Sequence, residues 1–130
     1  MVKSRLMENK KCFCDTGLLF AECCGLYLEK NQKAPTALAL MRSRYSAYAT
    51  HNADYLLETT HISERKYHSK AEILKWATNN KWRQLEILFY TENKVEFTAY
   101  FLDENQKPQI HHEFSTFKFE DGCWFYVDGN

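Results

Sequence analysis

Little in this sequence bends or interrupts a chain. Its 130 residues include only four glycines and two prolines, too few for a repetitive or linker-rich protein. No charge of one sign prevails either. Seventeen Lys and Arg balance 17 Asp and Glu, which removes bulk attraction to nucleic acid or anionic membrane as a basis for function. No stretch approaches the roughly 18–20 consecutive apolar residues of a membrane span. The opening Met1–Lys11 is too polar for a secretory leader. The expected location is therefore the cytoplasm, where structural disulfides are rare.

What remains is an apolar, aromatic chain: 45% hydrophobic and 15% Phe, Trp and Tyr. That is far above a disordered composition. The length suits one compact domain with a small appendage. Four of the five cysteines fall together (Cys12, Cys14, Cys23, Cys24), and the fifth, Cys123, stands alone. A polar stretch, Glu29-Lys30-Asn31-Gln32-Lys33, precedes Pro35 and divides the chain into residues 1–30 and 31–130. No repeat or low-complexity tract occurs, so the two parts are expected to pack together.

Beyond the boundary the periodicity predicts helices, then strands. Thr36 is placed to cap a helix in which Leu38, Met41, Tyr45, Tyr48 and Ala49 recur at helical spacing, to about His51. Asn52 is placed to cap a short helix over 53–58. Ser69 and Glu72 have capping-box spacing at the head of a helix reaching Ala77. From Trp82 the period becomes two: Leu85-Ile87-Phe89, then Val95-Phe97-Ala99-Phe101, with Glu92-Asn93 as the turn. A longer turn over 103–108 leads into a strand near 109–120, and Asp121-Gly122 signals a hairpin into 123–128. Three helices on a four-strand antiparallel meander make an α+β fold, with a curved sheet wrapped around the first helix.

Cys12-Phe-Cys14, eight residues, and Cys23-Cys24 supply four soft ligands in one short loop, and a reducing compartment leaves them as thiols. Tetrahedral zinc takes four thiolates at about 2.3 Å. Gly17 lets the chain reverse between the pairs, and a helical turn over 18–22 would deliver the second. With every position a thiolate, such an ion is structural. Cys123, flanked by aromatics, reads as a lone, partly buried thiol.

The run from Lys11 to Gly25 resembles the SEC-C zinc motif, Cys-x-Cys, eight residues, Cys-Cys. The segments Ala34 to Tyr48, Ala53 to Leu57 with His61, Glu113 to Phe117 and Asp121 to Gly129 resemble the YchJ family of bacteria. The resemblance covers nearly the whole chain. It implies a SEC-C finger followed by a nuclear-transport-factor-2-like (NTF2-like), cystatin-like cone, and it carries no biochemical activity with it. Where such fingers usually read Gly-Ser-Gly and then lysines, this one reads Asp15-Thr16-Gly17-Leu18-Leu19, an apolar rather than a basic surface. Phe114 and Thr116 stand where relatives often place basic residues.

Candidate residues for a pocket or buried polar network in the cone are Arg42, Tyr45, Tyr48, His61, Glu113, Tyr126 and Asp128. Arg42 projects within about 40° of Leu38 at 100° per residue. A charge on a core-facing stripe needs a partner, so a buried pair with Glu113 or Asp128 is expected. His61 suits a helix C-terminal end or acid–base work. Of His111-His112-Glu113, only His111 and Glu113 share a strand face.

These residues support first a structural zinc protein that binds another protein through its finger, with Leu18, Leu19, Phe20 and Leu26 as contact or packing surface. The alternative is a small enzyme or ligand-binding protein using a cone pocket, though no unmistakable acid–base dyad is present. Homodimerisation through exposed sheet is compatible with the fold. Contact with a ribosomal surface rests on the N-terminal lysines alone.

Overall fold

The computed structural model describes residues 10–130. Lys3 and Arg5 of the basic N-terminal stretch lie outside the described residues. A turn of 3-10 helix, Phe20–Glu22, and a short helix α1, Gly25–Leu28, close the cysteine loop. Helices α2 (Ala37–Ala49), α3 (Ala53–Glu58) and α4 (Lys70–Asn79) follow, with a 3-10 segment Ile62–Tyr67 between the last two. Strands β1 (Lys81–Tyr90), β2 (Lys94–Leu102), β3 (Pro108–Glu120) and β4 (Cys123–Gly129) complete the α+β order. None of the described helices is long and apolar enough to cross a membrane.

The caps expected from sequence form. Thr36 Oγ1 accepts from the Ala39 amide at 3.0 Å, Asn52 Oδ1 from the Tyr55 amide at 3.1 Å and Ser69 Oγ from the Glu72 amide at 3.0 Å. Each satisfies a backbone donor that the first helical turn leaves without a partner. The sheet is an antiparallel meander in the order β1-β2-β3-β4. Asp121 (φ 52°) and Gly122 (φ 79°) turn the last hairpin in the left-handed region that its two-residue turn requires. The stretch Thr59–His61 adds itself to β4: the His61 amide donates to Tyr126 O at 2.8 Å and the Tyr126 amide to Thr59 O at 2.7 Å.

Two departures from strict alternation decide which side chains face inward. In β1, register shifts at Arg83 and Leu88 separate Trp82 from Gln84 and Ile87 from Phe89. A bulge reverses the face of every residue beyond it. Phe89, expected inside with Leu85 and Ile87, is therefore 52% exposed, whereas Leu85 is buried. In β4, the shift between Thr116/Asp128 and Phe117/Tyr126 leaves Val127 as the extra residue. Asp128 thus loses the parity it shares in sequence with Trp124 and Tyr126.

Helix α2 is buried on more than one side. Leu40, Met41, Ser43, Arg44, Tyr45 and Ala47 are all buried, and the small side chains Ala37, Ser43, Ser46 and Ala47 are fully so. Leu40, Met41 and Tyr45 share a core with Leu85, Val95, Phe97, Ala99 and Phe117 of the sheet and with Cys12, Cys14, Phe20 and Cys24 of the N-terminal loop. The finger and the α+β domain therefore have one continuous core.

Candidate metal centre and cone cavity

The cysteine loop is a miniature hairpin. The Cys12 amide donates to Leu18 O at 2.8 Å and the Phe20 amide to Lys10 O at 2.7 Å. Asp15 (φ 64°) and Gly17 (φ 85°) make the reversal between them. The 3-10 turn then brings Cys23 and Cys24 back beneath the first pair. All four Sγ atoms lie within 4.8 Å of one another, and Cys14 and Cys23 are 3.6 Å apart. A tetrahedron with metal–sulfur bonds near 2.3 Å has sulfur–sulfur edges of about 3.8 Å, so the quartet fits a metal ion.

The thiols also shape one another's acidity. The Cys12 thiol is driven far below its usual range by hydrogen bonds from the Cys14 and Cys24 thiols. Cys14, tied to Cys12, is held up at about 11. Cys24 is pushed higher still by Cys12, by Cys14 and by burial. One thiol ionises readily at the others' expense; four thiolates together require a cation between them. Thr16 Oγ1, 3.3 Å from Cys23 Sγ, lies just outside the quartet.

The loop is fastened to the domain by three polar contacts. Arg42 Nη1 donates to Cys14 O at 2.8 Å. Cys12 Sγ lies 3.6 Å from Ser46 Oγ. The Leu85 amide, on the open edge of β1, donates to Asp15 Oδ2 at 2.9 Å. The last contact covers a sheet edge that would otherwise offer an unpaired donor.

Arg42 consequently pairs with neither Glu113 nor Asp128. It points toward the finger, and Asp128 is exposed on the opposite side of the sheet from Glu113 because of the bulge at Val127. The buried cation is Arg44, two residues on. Its Nη1 donates to Leu56 O at 2.9 Å, Thr59 Oγ1 at 2.7 Å and Thr60 Oγ1 at 3.4 Å, and its guanidinium lies 4.4 Å from the Tyr126 ring centroid. A single apolar stripe through Leu38 misplaced the helix because α2 has cover from both finger and sheet. The small residues Ala37, Ser43 and Ala47 were the available signal, since they allow close approach on a second face.

A cavity of about 260 Å³ opens between α2, α4 and the helix-facing side of the sheet. Tyr45, Tyr48, Glu113 and Tyr126 line it as expected, and Arg44, His111, Trp76 and Trp82 join them. Arg42, His61 and Asp128 do not. The Nδ1 of His61 accepts from the Ser63 amide at 3.2 Å, which leaves Nε2 to donate to Glu120 Oε2 at 2.8 Å. His61 is therefore a clamp at the sheet's end rather than a cavity residue.

Glu113 is the hub of the inward polar cluster. Its Oε2 accepts from Ser115 Oγ at 2.5 Å and from Tyr126 Oη at 2.9 Å, while Oε1 lies 3.0 Å from His111 Nε2. Burial pushes its pKa up, but these three hydrogen bonds outweigh burial and leave it below the usual carboxylate range. His111 is raised in return, first by its bond to Glu113. Gly129 sits against this carboxylate, so a side chain there would collide with it.

Comparisons with known proteins agree with this architecture. The family model described as the YchJ middle NTF2-like domain matches residues 36–129. A UPF0225 protein of Photorhabdus laumondii is 39% identical over 125 residues, covering 91% of this chain and 79% of the relative. One from Polaromonas naphthalenivorans is 42% identical over 118 residues, covering 87% and 82%. The solution structure of a SEC-C motif containing protein from Rhodopseudomonas palustris superposes with TM-score 0.83 at 33% identity, over 92% of this chain and 96% of that one. The crystal structure of a SEC-C motif containing protein from Psychrobacter arcticus gives 0.81 at 30%, over 95% and 83%.

Proposed function

The chain belongs to the YchJ (UPF0225) family, and on that footing we propose that it is a non-catalytic protein-binding module. In this reading residues 1–30 form a finger held by one structural Zn²⁺ on Cys12, Cys14, Cys23 and Cys24. The finger is docked on a cone domain of residues 31–130, and the reducing cytoplasm keeps its ligands as thiolates. The observation that supports it most directly is the all-cysteine quartet within 4.8 Å. Four thiolates close the coordination shell and leave no position for water or substrate.

The partner surface in this reading is the tip of the loop. Leu18 and Leu19 are 52% and 39% exposed, while Phe20, the next residue, is buried against the domain. Phe20 is used in docking, whereas Leu18 and Leu19 are held outward beside the exposed Lys11. A hydrophobic protein surface fits them.

The test is affinity capture with three proteins, each purified with zinc supplied, alongside metal analysis. The wild type carries one zinc per chain. Leu18→Ser/Leu19→Ser keeps the zinc and loses the partners, and Cys23→Ser/Cys24→Ser loses both. A partner set unchanged in both variants rejects the reading.

The cavity favours a second reading, small-molecule binding by the cone. It is open, lined by aromatic rings and holds two ionisable groups of opposite sign, Arg44 and Glu113. His61 is engaged by Glu120 and Ser63 outside it, so the imidazoles on the cavity wall are His68 and His111.

A further inference from the structure

Arg44 is a buried cation with donors to spare. Only 6% of it is exposed, yet every hydrogen bond it makes to the described residues comes from Nη1. Its Nε and Nη2 donate to no described group. No enclosed side-chain nitrogen or oxygen among the described residues lacks a partner, so these two nitrogens are open to the cavity that Arg44 lines.

No described carboxylate touches this charge. None of the described acidic residues forms an ion pair with Arg44. Glu113, on the same cavity wall, is already engaged by His111, Ser115 and Tyr126. Tyr126 stands between the two groups: its ring faces the guanidinium, and its hydroxyl is turned to Glu113. One positive charge with a pair of adjacent donors is left facing the space, and a guanidinium edge matches a carboxylate bidentately.

Aromatic rings make up much of the remaining wall, beside Met41, Thr60, His68 and Ile73. Trp82 contacts Tyr48 at 5.4 Å, Trp76 at 6.0 Å and Phe101 at 4.9 Å between ring centroids. An apolar cavity of roughly 150 Å³ accepts benzene; 260 Å³ therefore takes a molecule of about ten non-hydrogen atoms.

We propose that the cone cavity binds a small aromatic monocarboxylate, its carboxylate on Nε and Nη2 of Arg44 and its ring among Trp76, Trp82 and Tyr48. This rests on the second reading above, that the cone holds a small molecule, and leaves the finger's role untouched.

The test uses the intrinsic fluorescence of the full, metal-replete chain, with 3-phenylpropanoate and its neutral isostere 3-phenylpropanamide as probes. The wild type shows saturable quenching, with the carboxylate bound about tenfold or more tighter than the amide. Arg44→Met removes that preference, so that the carboxylate then binds no tighter than the amide. Ala99→Leu, which fills the cavity wall and leaves Arg44 in place, abolishes both.

Equal affinities in the wild type, or a preference that survives Arg44→Met, overturn the carboxylate assignment while the cavity reading stands. Saturable binding of neither probe overturns both. Should Arg44→Met fail to fold by circular dichroism, Ala99→Leu decides: carboxylate binding that persists there overturns the proposal.

Discussion

Arg42 reaches across from α2 and donates through Nη1 to the carbonyl oxygen of Cys14, 2.8 Å away. That carbonyl belongs to a residue of the thiol quartet, so the helix holds the turn that presents it. Together with Asp15 on the Leu85 amide, this contact makes the finger a buttress of the domain. Four predictions follow from this arrangement and from the Glu113 cluster.

On the reading that the quartet holds zinc, metal and global stability are coupled. Because Cys12, Cys14 and Cys24 belong to the core shared with Leu40 and Phe97, chelation lowers the melting temperature of the whole chain in one transition. Free zinc at a thousand times its Kd adds about 4 kcal/mol. Calorimetry with and without a zinc chelator checks this. A domain transition indifferent to chelation, with only the finger melting, contradicts it.

Arg42→Met removes a charged donor from Cys14 O and weakens the chain by about 1.5 kcal/mol, the low end for such a bond because the side chain is only half-buried. It also loosens zinc. Combined with Glu113→Gln or Asp128→Asn the losses add, since neither acid touches Arg42. Denaturation of the single and double variants measures this. Coupling above about 0.5 kcal/mol restores a partnership that the geometry denies.

The Glu113–His111 pair stabilises the fold within a defined pH window. Glu113 is lowered from 4.5, so its contribution is present above that value and is lost as pH falls through its folded pKa. His111 is raised from 6.5, so its contribution is present below that value and is lost as pH rises through its own folded pKa. The stability difference between the wild type and His111→Asn is therefore greatest between pH 4.5 and 6.5. It shrinks on either side. A difference independent of pH contradicts the pairing.

Asp15→Gly keeps the left-handed turn at φ 64° and removes only the carboxylate that caps β1 at the Leu85 amide. The expected cost is about 1 kcal/mol. Concentration-dependent association through the uncovered strand edge should accompany it. Urea denaturation and sedimentation velocity report the two effects; a variant as stable and as dispersed as the wild type assigns the contact no role.

What the sequence settled by itself was local. Cysteine spacing assembled a thiol quartet because the eight intervening residues return the chain on itself in a miniature hairpin. The caps at Thr36, Asn52 and Ser69 and the turn at Asp121-Gly122 form because backbone donors and left-handed dihedrals are satisfied within a few residues. The periodicity of β2 held throughout its length. Only the tertiary structure decided which arginine is buried, because helix α2 packs against finger and sheet at once and one hydrophobic stripe cannot describe two contacts. Bulges at Leu88 and Val127 likewise turned Phe89 and Asp128 outward, since one extra residue reverses a strand's faces and leaves no mark on its composition. The cavity around Arg44 and Glu113 belongs to the same class: its walls come from α2, α4 and all four strands, and nothing short of the packed fold brings them together.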